Sequence, residues 1–368
     1  MIEWGIAVGA LSFAVIAVVN ALTFLRAQQR TITDDPSVSI LIPARNEERT
    51  IAECLKSACL QGNLVREILV YDDQSTDTTA VIVQSWMERD KRIKLIHGVA
   101  LPQSWYGKPH ACYRLAEHAR GEWLLFIDAD VRLHKHAASK LLATALNYRC
   151  SFLSAWPEVE MRTPVELLLM PMLNFYVFTL FPSPLQLLSN APRYALAHGA
   201  CILCRRAEYW DVGGHAAVRT DLFEDTALAR LWRSHGHRGL CCDGRGIVQV
   251  RMYTRLREIW QGFEKNFFPG FRRKWMFFLV LTIHAMFFTA PFVGLLLSPS
   301  LPTTIASCAV LFSRVSLAIR FRHSFWSVLF HPLAELMLLA LGISSFVRWQ
   351  GRQGVVWKDR VYRRSTTI

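Results

Sequence analysis

The chain has 368 residues, 52% hydrophobic and only 19% charged, and its 42 basic against 29 acidic side chains give a formal net charge of +13. The apolar excess excludes a protein that is soluble throughout and puts part of the chain in lipid, while the charge calls for an anionic partner, nucleic acid or a membrane face. Apolar runs beside the basic clusters favour the membrane over nucleic acid, and nine cysteines without regular spacing or a signal-cleavage pattern read as reduced thiols facing the cytoplasm.

Residues Ile2 to Leu25 are apolar apart from Glu3, Ser12, Asn20 and Thr23, about the length that crosses a bilayer. Arg26 and Arg30 follow, so the positive-inside rule makes residues 1–30 an uncleaved anchor whose distal end faces the cytoplasm of a cell membrane. From 37 to 251 the texture becomes short apolar runs alternating with polar helical stretches, the pattern of an α/β domain with a mostly parallel sheet. Ser39 to Ile42, Ile68 to Tyr71 and Trp123 to Ile127 read as buried strands, and Glu47 to Leu60 and Thr76 to Asp90 as helices. Residues 157–189 interrupt that texture with an apolar stretch broken by Pro164, Pro171, Pro182 and Pro184; it reads as an interfacial insertion rather than a spanning helix. A basic, aromatic segment, 252–275, carries Arg272, Arg273 and Lys274 toward anionic headgroups. The apolar region 276–347 contains three runs, Met276 to Leu297, Leu301 to Ile319 and Phe325 to Val347. Three crossings would put the basic tail, 348–368, outside, so one run is expected to be re-entrant or interfacial; Pro332 and Glu335 point to the last.

The strand Trp123 to Ile127 runs into Asp128, Ala129 and Asp130. Residues i and i+2 of an extended chain point to one side, so the two carboxylates can converge on a hard cation; acidic pairs also cap helices. Upstream, Ile68 to Tyr71 ends in Asp72, Asp73, Gln74, Ser75, Thr76 and Asp77, which suits either an Asx turn or hydrogen bonds to a nucleoside. Before both stands SVSILIPARNE, Ser37 to Glu47, a strand running into a turn. Further on, Glu224 and Asp225 open a helical stretch, where acids complement the macrodipole or serve as a base.

The order ILIPARNE, VYDDQSTD, WYGKPHACYRLAEHARGEWLLFIDAD and FEDTALARLWRSHGHR resembles the family 2 glycosyltransferases of GT-A fold, over roughly residues 37–251. The Trp-x-Gly-Lys and Arg-Met-Tyr stretches are similar to those of hopanoid-associated and carotenoid-acid, diaponeurosporenoate-type, members. The resemblance implies a GT-A nucleotide-sugar-binding domain flanked by an N-terminal transmembrane helix and C-terminal transmembrane or interfacial helices. It assigns Pro43, Glu47, Asp73 and Asp72 to the base and ribose of a nucleotide-sugar donor such as a UDP-sugar. Asp128 would lie near the ribose and diphosphate, Asp130, with Asp128, would hold Mg²⁺ or Mn²⁺, and Lys108 and Arg251 would touch donor phosphates. Asp225 would be the general base, supported by Glu224. The expected activity is inverting, metal-dependent hexosyl transfer to a lipid or lipid-linked acceptor at the cytoplasmic membrane face.

Processive relatives carry Gln-x-x-Arg-Trp after the Glu-Asp pair; here Gln249-Val250-Arg251-Met252-Tyr253 and Trp260-Gln261-Gly262-Phe263 stand instead. Transfer of one sugar is therefore expected rather than polymer synthesis. Two rival readings share the motifs: a polyprenyl-phosphate sugar transferase, and a membrane protein or transporter that binds nucleotide sugar without turnover, which Arg314 and Glu335 would suit. Zinc at Cys201, Cys204, Cys241 and Cys242 is set aside on spacing; His134 and His136, which could supply a third metal ligand, read as solvated helix positions, and His198, which could approach the acceptor, reads as a structural histidine.

Overall fold

The computed structural model describes residues 1–28, 36–271, 273–350, 355–357 and 360–362. Arg30, Arg272 and most of the basic tail 348–368, all of them assigned to the membrane face by their charge, lie outside the described residues. Two compact units are present: Leu25–Glu160 with Leu185–Met252, and Met1–Phe24 with Met161–Pro184 and Tyr253–Ile368.

The first unit is built on strands β1 (Val38–Ala44), β2 (Val65–Asp72), β3 (Ile93–His97), β4 (Trp123–Ile127), β5 (Val131–Leu133), β6 (Phe152–Trp156), β7 (Glu158–Val159), β8 (Cys201–Arg205), β9 (Gly239–Asp243) and β10 (Val248–Val250). Seven form one sheet in the order β3-β2-β1-β4-β8-β6-β9, parallel except for β8, which is antiparallel to both neighbours. Strands covered on both faces read as continuous apolar runs, and successive residues serve opposite cores. Thus Ile40, Ile42, Ile68 and Val70 pack with Leu55 and Leu141, while Leu41, Leu69 and Tyr71 pack with Leu115 and Trp232. The remaining strands make a small sheet, β5-β10-β7.

Two helices start later than their sequence pattern predicts, at Ile51 and Thr79 rather than Glu47 and Thr76. The intervening residues knit two loops together: Glu47 N–H donates to Thr79 Oγ1 at 2.8 Å and Glu48 N–H to Asp77 Oδ2 at 3.1 Å. Asp77 also accepts from Thr79 N–H at 3.0 Å, which caps the second helix. Residues 157–189 do not act as one insertion, because Leu185–Leu188 is a short helix of the α/β unit. Its Gln186 side chain donates to Cys241 O at 2.9 Å and accepts from Cys241 N–H at 2.7 Å, pairing with β9 as a strand would.

The second unit contains four helices long and apolar enough to cross a membrane: Ile2–Thr23, Lys274–Leu297, Leu301–Phe321 and His331–Gln350. The polar Asn20 in the first of these has a structural purpose: it donates to Phe178 O and Phe181 O, each at 2.7 Å, and accepts from Ser183, fastening the helical segment 164–183. Arg320 donates to Phe24 O at 2.8 Å while Ser300 donates to Glu3, so helices Ile2–Thr23 and Leu301–Phe321 run in the same direction. Helix His331–Gln350 lies antiparallel to Lys274–Leu297, with His331 against Phe292 and Phe346 against Phe277 and Phe278. Pro332 sits in its first turn, where a missing N–H costs nothing, and Glu335 shares a 2.6 Å hydrogen bond with His284 Nδ1. Neither feature therefore penalises this helix in the way its sequence suggests.

Candidate active site

The C-terminal ends of parallel strands are where open α/β sheets bind ligands, because successive loops there diverge to leave a crevice. Here β1 delivers Pro43, opposite Tyr71 of β2, and β2 delivers Asp72, opposite Ala44. Asp73 N–H donates to Ala44 O at 2.8 Å, Arg45 donates to Asp73 O at 2.6 Å, and Asp72 Oδ1 accepts from Ser75 N–H at 3.1 Å. Asn46 and Gln74 both take positive φ, 52° and 58°, and the Asn46 side chain accepts from Thr76 N–H at 2.8 Å. Left-handed backbone at two facing loop positions is a conformation that the cross-loop bonds must hold in place. Asp72 and Asp73 are buried at the foot of this locked pair of loops.

Strand β4 delivers the next carboxylates. Asp128 and Asp130 are half-buried, and the buried Cys54 thiol is raised well above its usual range, first by burial and then by the charges of Asp130, Glu47 and Asp128. The charges of all three carboxylates are thus felt at Cys54, although among the described residues no group of three His, Cys, Asp or Glu is arranged to hold a metal ion. Strand β10 pairs antiparallel with β5, Val250 opposite Val131. Continued by one residue, that register sets Arg251 across from Asp130.

Lys108, near the start of the helix Gly107–His118, ties the strand ends to the Glu-Asp pair. Its Nζ lies 2.7 Å from Asp128 Oδ1, 3.0 Å from Glu224 Oε1 and 3.5 Å from Gly199 O. Burial opposes its charge, but Asp128 and Glu224 hold its pKa well above the ordinary lysine range. Asp225 sits beside Glu224 at the start of helix Glu224–Ser234. Burial and then the Glu224 charge push its carboxyl up to about 7, against the opposing pull of Lys108 and of the Thr226 and Gly199 backbone. A carboxylate poised near neutrality suits proton abstraction at physiological pH.

Of the segment His198-Gly199-Ala200 the sequence singles out only His198, and Gly199 and Ala200 give no signal of this arrangement. The segment leads into β8, whose Cys201 pairs with Ile127 of β4, and Ala200 O accepts from Asp128 N–H at 3.1 Å. A Cβ on Gly199 would stand 3.0 Å from Lys108 Nζ and 3.3 Å from Asp225 Oδ2, so a side chain there would make these two tips give by a few tenths of an ångström. The His198 ring meets Trp156 edge to face at 5.1 Å, and burial, opposed by the field of Asp128 and helped by that of Lys108, lowers its pKa to about 4. His134 and His136 lie on the surface, and the cysteines of β8 and β9 are free thiols buried in the sheet.

Residues 39–213 match the family model for Glycosyl transferase family 2. The chain is 28% identical over 366 residues to the 4,4'-diaponeurosporenoate glycosyltransferase of Staphylococcus aureus (strain USA300), covering 93% of this chain and 94% of that relative. To the enzyme of the same name from Staphylococcus haemolyticus it is 29% identical over 238 residues, 64% of this chain and 62% of that relative. Among solved structures, the mannosyltransferase PcManGT from Pyrobaculum calidifontis, in complex with GDP-Man and Mn²⁺, shares the fold with a TM-score of 0.55 at 18% identity, over 95% of this chain and 98% of its own.

Proposed function

We propose that the chain, whose residues 39–213 match the Glycosyl transferase family 2 model and whose sheet is GT-A-like, transfers a single sugar, with inversion, from a nucleotide-sugar donor to a lipid-associated acceptor at the cytoplasmic face of a membrane. The observation that carries the reading is the Lys108 bridge, which brings Asp128, at the end of a sheet strand, to the Glu224-Asp225 pair. Donor-side and acceptor-side chemistry thereby share one crevice.

In this reading the locked loops after β1 and β2 hold the nucleoside, with Pro43, Glu47, Asp72 and Asp73 around base and ribose. Lys108 and Arg251 face the diphosphate. The carboxylate oxygens of Asp130 and Asp128 fit a hard divalent ion such as Mg²⁺ or Mn²⁺ whose remaining ligands would come from the donor. Such an ion would neutralise charge on the departing diphosphate. Asp225 takes the proton of the attacking acceptor oxygen, and attack from the face opposite the leaving group inverts the anomeric carbon.

The name of the S. aureus relative, a glycosyltransferase of a carotenoid acid, supports an apolar acceptor, as do the four apolar helices. Arg26, Arg273 and Lys274 at helix ends support a cytoplasmic catalytic face. The directions of the helices place the ends at Phe24, Lys274, Phe321 and Gln350 on one side of the membrane unit. In this reading the last segment leaves and returns to that side. The test is to incubate detergent-solubilised protein with labelled UDP-sugars and membrane lipid, and to look for glycolipid by mass spectrometry. Donor bound but never consumed would overturn the enzymatic reading.

A further inference from the structure

Four polar side chains of the membrane unit, His284, Arg314, His331 and Glu335, are buried with at most 1% of their surface exposed. Three of them surround one ring. The Phe175 centroid lies 5.3 Å from Arg314 Cζ, 4.9 Å from the His331 ring and 6.5 Å from the His284 ring. The charge of Glu335 acts on Arg314, and the fields of Arg314 and His284 act on His331, so the four groups form one neighbourhood.

Their hydrogen bonds leave a remainder that can be counted. Arg314 donates from Nη2 to Ser327 O at 2.9 Å and from Nη1 to Pro171 O at 3.4 Å, but its Nε–H has no partner among the described residues. Glu335 Oε1 is 2.6 Å from His284 Nδ1, and because a carboxylate only accepts, the proton of a neutral His284 sits on Nδ1. His284 Nε2 is then a bare acceptor, and neither it nor Glu335 Oε2 has a partner among the described residues. His331 meets the Phe288 backbone, whose carbonyl takes only an N–H, so its second ring nitrogen is again an acceptor. One donor thus stands against three acceptors, and pairing these side chains with one another leaves acceptors over.

What the cluster lacks is hydrogen. An anion would add acceptors. A metal ion would set a second positive charge against Arg314, and among the described residues no group of three His, Cys, Asp or Glu is arranged to hold one. A water molecule accepts one bond and donates two, and about three bonds is the usual number for a water buried in a protein. We propose that the membrane unit holds internal water in this cluster, which accepts from Arg314 Nε–H and donates to Glu335 Oε2 and a histidine nitrogen. Such a water completes the hydrogen bonding of both ions, so the charged pair persists among apolar helices without a path to solvent. The site lies within the membrane unit and does not depend on the transferase reading.

The test is X-ray radiolytic labelling of the full-length protein in detergent, where hydroxyl radicals made from water oxidise the side chains beside it and mass spectrometry reads each residue. Phe175 and Phe277 are both fully buried in the membrane unit, and Phe277 is ringed by Phe267, Phe268, Phe271, Phe278 and Phe346. With water in the cluster, Phe175 should be oxidised about tenfold faster than Phe277, whose neighbours offer a water nothing to bond. Glu335→Gln brings N–H donors of its own to the cluster and should cut the Phe175 rate severalfold while leaving Phe277 unchanged. Phe175 labelled no faster than Phe277 overturns the proposal, and so does a Phe175 rate that Glu335→Gln leaves as it was. Should that variant fail to fold, the wild-type comparison decides alone.

Discussion

Replacing Asp225 by Asn separates its chemical role from its structural one, because the two respond in opposite directions. The carboxyl is raised to about 7, chiefly by burial and then by Glu224. If its ionised form is the base, about one molecule in eleven is competent at pH 6 and about ten in eleven at pH 8, so kcat/KM should rise about tenfold across that interval. Asn cannot take the proton, and transfer should fall by about 10²- to 10⁴-fold with the acid limb lost. Stability runs the other way. A carboxyl whose folded pKa lies above its unfolded value of about 3.9 contributes stability that is complete below pH 4 and lost as the pH rises through 7. At pH 8 the wild type therefore holds an unfavourable buried charge that Asn removes. After allowing for partial exposure of the side chain, the variant should gain on the order of 2 kcal/mol at pH 8 and nothing near pH 4. Initial rates and melting temperatures, measured on solubilised protein in one buffer series, check both halves. A variant retaining more than a tenth of wild-type activity, or one less stable at pH 8, would refute the assignment of Asp225.

Lys108→Met removes the charge that draws the Asp225 pKa down, so the acid limb should move to higher pH; an unmoved midpoint in the same rate series would contradict the bridge. Asp130→Ala should abolish transfer without affecting membrane insertion, and a chelator should silence the wild type until Mg²⁺ or Mn²⁺ is restored. Turnover in either case, read by product formation, would sink the metal assignment. Gly199→Ala presses a methyl against Lys108 Nζ and Asp225 Oδ2 and should lower kcat at least tenfold while shifting stability by no more than about 1 kcal/mol. Glu335→Leu strands His284 and Arg314 in the membrane unit and should cost about 3–5 kcal/mol, with the double variant Glu335→Leu, His284→Leu recovering part of it; equal melting temperatures for single and double variants would argue against a coupled pair.

The central strands were legible because a strand buried on both faces must be apolar along its whole length, and Trp123 to Ile127 is such a run, ended by the aspartates it presents. The short strands at the rim were not. β5, β7 and β10 have two or three residues each, too few for an alternating pattern, yet their pairing sets Val250 opposite Val131, the neighbours of Arg251 and Asp130. The helix starts were misplaced for a related reason. Glu47 and Thr76 fit a helical period, but their backbone groups are claimed by side chains of the facing loop, a bond between segments some thirty positions apart. Gly199 carries no local signature, since its position follows from the antiparallel entry of β8 beside β4.

The membrane unit shows the same principle in the other direction. Glu335 and Pro332 in an apolar run are penalties only while each is considered against lipid and an ideal helix. In the fold the proline occupies a first turn, where no hydrogen bond is lost, and the carboxylate finds His284 on a helix 51 positions earlier in sequence. The features that single out the final helix in the sequence are thus the ones that join it to Lys274–Leu297. The helix forms in full, His331–Gln350, and what its sequence does not show is where it begins. His331 lies against Phe292, deep along its neighbour, and the chain reaches it from Phe321 at the same end to which Gln350 returns.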